Sequence, residues 1–162
     1  MRIATKSSKL NISKLENTKK IADIFAKNIF KSNVILFYGE IGVGKTTFIK
    51  FLVNSLEKID KKNISEITSP TFSLMSQYKL NKFDIHHYDL YRLKSEKDIL
   101  SLNIFEDISD KIVLIEWPEI LGEHKPRNTI DINFEYGENF NSRYLTISAY
   151  EKLKIFDEFK SL

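Results

Sequence analysis

The chain has 162 residues, 42% of them hydrophobic and 29% charged, with a net charge of +3 and no cysteine. That make-up belongs to an ordinary globular protein long enough to bury a sizeable core, and it reads as one domain over residues 1–162. It excludes disulfides and cysteine metal sites, offers no apolar run near the roughly 20 residues that span a bilayer, and is too mildly basic to signal nucleic-acid binding.

The N-terminus, Met1 to Lys6, lacks the apolar stretch of a signal peptide, and with the missing cysteines it predicts a cytoplasmic protein. Asn11 or Ser13 can cap a helix whose Leu15, Ile21, Ala22, Phe25, Ala26 and Ile29 share one face, ended by Lys31-Ser32-Asn33. Val34-Ile35-Leu36-Phe37-Tyr38 is apolar and β-rich, a buried strand. Gly39 to Thr46 then matches the phosphate-loop pattern G-x-x-x-x-G-K-[ST] at every fixed position. Thr47 to Leu56 follows, with Phe48, Phe51, Leu52 and Leu56 at helical spacing. Strand, glycine turn and helix are what phosphate binding requires. The glycines let backbone N–H groups face one concavity, and the helix start adds partial positive charge. Lys45 then reaches the β- and γ-phosphates, and the Thr46 hydroxyl can take one Mg²⁺ position.

Glu57 to Glu66 is polar and lysine-rich, a surface connection. Ser69-Pro70-Thr71-Phe72 is a bend into a strand over Ser73 to Leu80, and Asn81 to Asp84 turns it back into a strand over Ile85 to Leu90. Ser95 starts a helix with Ile99, Leu100, Leu102, Ile104 and Phe105 as its apolar positions. Ile112 to Ile115 is a second clean buried strand, stopping at Glu116-Trp117-Pro118. Thr129 to Tyr136 and Arg143 to Ser148 alternate like a terminal hairpin around Gly137-Glu138-Asn139, and a last helix covers Tyr150 to Phe159.

Nucleotide hydrolysis also needs carboxylates near Mg²⁺ and a group that orients water. Two strands end in an acid, and in open α/β sheets ligands sit at such carboxyl ends. Glu116 ends the stronger pattern, and either serves metal or water or is a surface strand end. Asp89 ends a run interrupted by His86 and His87, which is a poor metal motif. Thr71 is either a switch residue sensing the γ-phosphate or part of a plain turn. Trp117, the one tryptophan, reads as core on composition, and His124 as loop surface.

In order and spacing, three further stretches join the phosphate loop Tyr38 to Phe48: Ser69-Pro70-Thr71-Phe72-Ser73-Leu74, His87-Tyr88-Asp89-Leu90-Tyr91-Arg92-Leu93 and Ile115-Glu116-Trp117-Pro118-Glu119. In these the chain closely resembles the bacterial TsaE family, also called YjeE, the ATPase of tRNA threonylcarbamoyladenosine biosynthesis, from about Ser13 to Ser148. The resemblance implies a P-loop NTPase fold of α/β class, its mixed sheet a parallel core extended by antiparallel strands and flanked by helices. It implies that Ile41, Gly42, Val43, Gly44, Lys45, Thr46 and Thr47 surround ATP or ADP. Thr46 and Glu116 would hold Mg²⁺, Asp89 would serve metal and hydrolysis, and Thr71 would match the switch threonine. Leu15 and Thr18 correspond to a stretch near the adenine, and Ser142 and Arg143 to a late-hairpin nucleotide contact. There the chain departs from the family, because Ser142 stands where glycine is common. By the same resemblance the partner is the TsaD–TsaB pair, which transfers threonylcarbamoyl to the adenosine beside the anticodon. The tRNA is then a substrate of the pathway.

Rival readings fare worse. Asn81-Lys82-Phe83-Asp84 spells the guanine-reading N-K-x-D, but no aspartate lies three residues before any glycine, so the accompanying D-x-x-G is missing. A small-molecule kinase needs an arginine-bearing lid, whereas only Arg2, Arg92, Arg127 and Arg143 occur, widely dispersed. A nucleotide-gated binding module needs the same loop and Mg²⁺ ligands as an ATPase. With so few arginines, hydrolysis by the isolated chain is expected to be slow.

Overall fold

The computed structural model describes residues 5–31, 33–150 and 155–162. In chain order its elements are β1 (Thr5–Lys6), β2 (Leu10–Asn11), α1 (Leu15–Asn28), β3 (Val34–Tyr38), α2 (Lys45–Ile59), β4 (Met75–Lys79), β5 (Asp84–Asp89), α3 (Glu96–Ser101), β6 (Lys111–Glu116), β7 (Thr129–Tyr136), β8 (Arg143–Ala149) and α4 (Ile155–Glu158). Among the described residues the eight strands form one mixed sheet in the order β1-β8-β7-β3-β6-β5-β4, with β2 also on β8. Its parallel core is β7, β3, β6 and β5; the hairpins β4/β5 and β7/β8 extend it with antiparallel strands on both sides.

The apolar runs of β3 and β6 are continuous because both faces of the sheet are covered. Side chains alternate, so Ile35 and Phe37 of β3 and Ile112 and Leu114 of β6 join Phe25 of α1 and Phe48 and Leu52 of α2 in one core. Val34, Leu36, Val113 and Ile115 point the other way, onto Ile99, Ile104 and Leu121. Phe48 fastens α2 to the sheet behind the phosphate loop, with ring centroids 6.0 Å from Phe25, 6.1 Å from Phe37 and 5.9 Å from Phe134. The contacts with Phe25 and Phe134 are edge-on, a geometry that adds about 0.5–1.5 kcal/mol each beyond the area buried.

Several local expectations shift. Neither Asn11 nor Ser13 caps α1: Asn11 Oδ1 accepts the Ser13 N–H, and Ser13 Oγ accepts the Arg143 N–H, tying the helix start to β8. Leu15 is 64% exposed, and burial along α1 begins at Thr18. The expected surface connection loses its first residues to α2, where Glu57 is buried and accepts the Ser65 N–H at 2.9 Å. β4 starts at Met75 because the Leu74 N–H closes a turn on Pro70 O at 2.7 Å with Leu74 at φ 64°. Ser95 caps α3 in a capping box with Asp98, but the helix stops at Ser101, and Ile104 packs from the turn beyond it. Residues 151–154 of the expected last helix lie outside the described residues; 155–158 are helical. Among the described residues no helix is long and apolar enough to cross a membrane.

Candidate functional site

The carboxyl ends of β3, β5 and β6 converge on one cleft of about 310 Å³. β3 runs into Gly39 at φ 136°, where an added Cβ would lie 2.7 Å from Phe134 O, so glycine alone fits the turn. The loop ends at Gly44, the N-cap of α2, which has no side chain to cap the helix; the first-turn N–H groups remain to face an anion. Ile41, Gly42, Gly44, Lys45, Thr46 and Thr47 line the cleft from this side. Val43 belongs to the loop but turns its fully buried side chain into the core.

Lys45 is 5% exposed. Its ammonium donates to the carbonyls of Gly39 (2.5 Å) and Glu40 (2.9 Å) and lies 3.9 Å from the centroid of the Trp117 ring. Burial holds it below the ordinary lysine pKa, while the carboxylates of Glu116, Glu119 and Asp89 pull it back up. Among the described residues lining the cleft, Lys45 is the only cation. Arg92 stacks on exposed Phe72 with 5.3 Å between guanidinium carbon and ring centroid.

The two strand-end acids are brought side by side. β5 and β6 are parallel with Asp89 opposite Glu116, and both carboxylates are buried, at 3% and 2% exposure. Glu116 therefore is no surface strand end. Thr46 Oγ1 donates to its Oε1 and Oε2, at 3.1 and 2.9 Å, and His87 Nε2 lies 2.9 Å from Oε1. Asp89 Oδ2 accepts from Ser69 Oγ at 2.5 Å and from Thr71 Oγ1 at 2.9 Å, and Oδ1 accepts the Tyr91 N–H at 3.0 Å. Thr71 is thus hydrogen-bonded into the site rather than confined to a plain turn. The donor set suits Mg²⁺, a hard cation that takes oxygen ligands and uses one or two carboxylates plus substrate phosphates.

Trp117 does not join the core. With φ 58°, a left-handed conformation rare for a bulky residue, it turns its ring along the cleft, 4.8 Å from the Tyr91 ring. Leu15, Thr18, Ser142 and Arg143 do not line the cleft. Thr18 is buried with its hydroxyl on Ile12 O at 3.3 Å. Arg143 faces Tyr136, whose hydroxyl donates to Ile41 O at 3.1 Å, so this hairpin end adjoins the loop from its other side. His124 is half-buried and bonds Glu96 Oε1 at 2.5 Å, more than loop surface. His87, Ser69 and Tyr91 are the members that spacing alone overlooks. His87 had one signal: it stands two residues before Asp89, hence on the same strand face.

The family model for threonylcarbamoyl adenosine biosynthesis protein TsaE matches residues 12–145. The chain is similar to the tRNA threonylcarbamoyladenosine biosynthesis protein TsaE of Rickettsia conorii, 36% identical over 137 residues, which is 85% of this chain and 75% of that one. To the Bacillus subtilis protein of the same name it is 30% identical over 118 residues, 72% of this chain and 70% of that one. Its fold is that of a crystal structure of Bacillus subtilis YdiB, with a TM-score of 0.73 at 22% identity, covering 99% and 97% of the two chains. Family model, relatives and P-loop NTPase fold agree, and this chain belongs to the TsaE family of tRNA threonylcarbamoyladenosine biosynthesis.

Proposed function

We propose that this protein binds and hydrolyses Mg²⁺-ATP in the cytoplasm to support the TsaD–TsaB pair as it forms threonylcarbamoyladenosine in tRNA. The observation that carries this reading is half-buried Thr46 hydrogen-bonded to buried Glu116 beside Lys45, with a second buried acid, Asp89, on the adjacent strand end. The loop amides and Lys45 bind the β- and γ-phosphates. Thr46 and Glu116, with Asp89 beside them, hold Mg²⁺, which when bound neutralises charge on the phosphate oxygens. Asp89 also holds the Ser69 and Thr71 hydroxyls, so the segment carrying Thr71 answers to whatever occupies the γ-phosphate position. A kinase reading has no arginine among the described residues lining the cleft to support it.

Phosphoryl transfer builds charge on the γ-phosphate, and an arginine that stabilises it is worth about 10³–10⁵ in rate. With Lys45 the only cation lining the cleft among the described residues, turnover by the isolated chain is slow and rises when the TsaD–TsaB pair is added. Steady-state ATPase assays with and without the pair test this. Fast hydrolysis by the purified chain, indifferent to the pair, would sink the proposal in favour of a self-sufficient ATPase. Binding of the pair gated by ATP with no hydrolysis at all would favour the nucleotide-gated module.

Trp117 supplies a direct reporter. Drawing Lys45 onto phosphate removes the cation 3.9 Å from the indole, so emission changes when Mg²⁺-ATP or Mg²⁺-ADP saturates the cleft. An unchanged spectrum, with binding established by calorimetry, would put the nucleotide elsewhere.

A further inference from the structure

His87 is a polar side chain in an apolar layer. Strand alternation points it, with Ile85 and Asp89, toward the α2 face of the sheet, where its Cα partner on β6 is Leu114. It is fully buried. A carboxylate only accepts hydrogen bonds, so Nε2 donates to Glu116 Oε1 across 2.9 Å. Nδ1, equally buried, has no partner among the described residues. Leaving a buried ring nitrogen unpaired costs stability, and an apolar side chain of similar size would fill the space without that cost. The site therefore carries His87 for what Nε2 does to Glu116.

We propose that His87 is a positioning residue: its Nε2–H holds the Glu116 carboxylate in the orientation that meets Thr46, and so sets the affinity of the cleft for Mg²⁺. The inference rests on the Mg²⁺-ATP reading above. Thr46 reaches both oxygens of Glu116 only in one carboxylate orientation, and a glutamate has three side-chain torsions with which to leave it. His87 comes from the neighbouring strand, whose register is locked to β6, so its bond acts as a fixed stop. Partners of this kind behind a metal ligand are worth about 10–100-fold in metal affinity.

The test compares H87M, which fills the space without a donor, with H87Q, whose amide can still donate. Calorimetry follows binding of a non-hydrolysable ATP analogue across a MgCl₂ titration, and circular dichroism follows the melt. H87M is expected to shift the Mg²⁺ midpoint upward by about 10–100-fold, to bind the analogue without Mg²⁺ as the wild type does, and to melt no lower. H87Q is expected to recover most of the shift. A wild-type chain that responds to Mg²⁺, with H87M responding equally, would overturn this inference alone. H87M that loses Mg²⁺-free binding and melting temperature together, with no rescue by H87Q, would show a structural histidine and overturn it too. Analogue binding by the wild type that ignores Mg²⁺ would overturn the Mg²⁺-ATP reading and this inference with it.

Discussion

Lys45→Ala is expected to lower ATP affinity by about 30-fold to several thousand-fold, the equivalent of losing about 2–5 kcal/mol from a buried charge pair. The size follows from where the ammonium sits. It is 5% exposed, carried by the first residue of α2, and is the only cation among the described residues lining the cleft. Its contacts with the Gly39 and Glu40 carbonyls keep it at the loop, and burial makes its charge poorly screened by water. The fold is expected to lose little, because the truncated chain releases the carbonyls of half-buried Gly39 and exposed Glu40 and one indole face that lines the cleft. Titration with a fluorescent ATP analogue measures the loss; wild-type affinity in Lys45→Ala would make the loop a structural turn.

Glu116→Gln is expected to slow ATP hydrolysis by about 10²–10⁴-fold, the range of a positioned group that manages a proton or a water. It also weakens the dependence of binding on Mg²⁺, because the charge is removed at constant size. The amide meets two donors, Thr46 Oγ1 and His87 Nε2, and can satisfy both: its oxygen still accepts from Nε2, and its NH₂ donates to the Thr46 hydroxyl, which rotates to accept. The variant is therefore expected to fold and still to dock nucleotide on the loop. Single-turnover assays beside binding measurements separate the two effects. Normal turnover in Glu116→Gln would remove this residue from both metal and water.

Much of the architecture lies in short-range pattern. The runs at 34–38 and 112–115 are too apolar to be half-exposed, and they became neighbouring parallel strands buried on both faces. The cap at Ser95 and the turns around 81–84 and 137–139 act over a few residues; each formed there, with Asp84 drawn into β5 and the second loop running on to 142. The phosphate loop belongs with these, since its glycines, lysine and threonine lie within eight residues.

Partnership across the sheet is another matter. Asp89 meets Glu116 because β5 and β6 run parallel in one register, joined through α3, and no periodicity within either strand states that. His87 looked like a flaw in a strand, since its reason for being polar stands 29 residues further along the chain. Trp117 looked like core, because composition is blind to the φ of 58° that swings its ring beside Lys45. Leu15 kept helical spacing yet stayed in solvent, because the turn that carries it is tied to the β8 hairpin ahead of the buried stretch. Local residue types set what each group can do, through torsional preference and hydrophobicity. Which group it acts with is set by strand register and crossover, properties of the whole sheet.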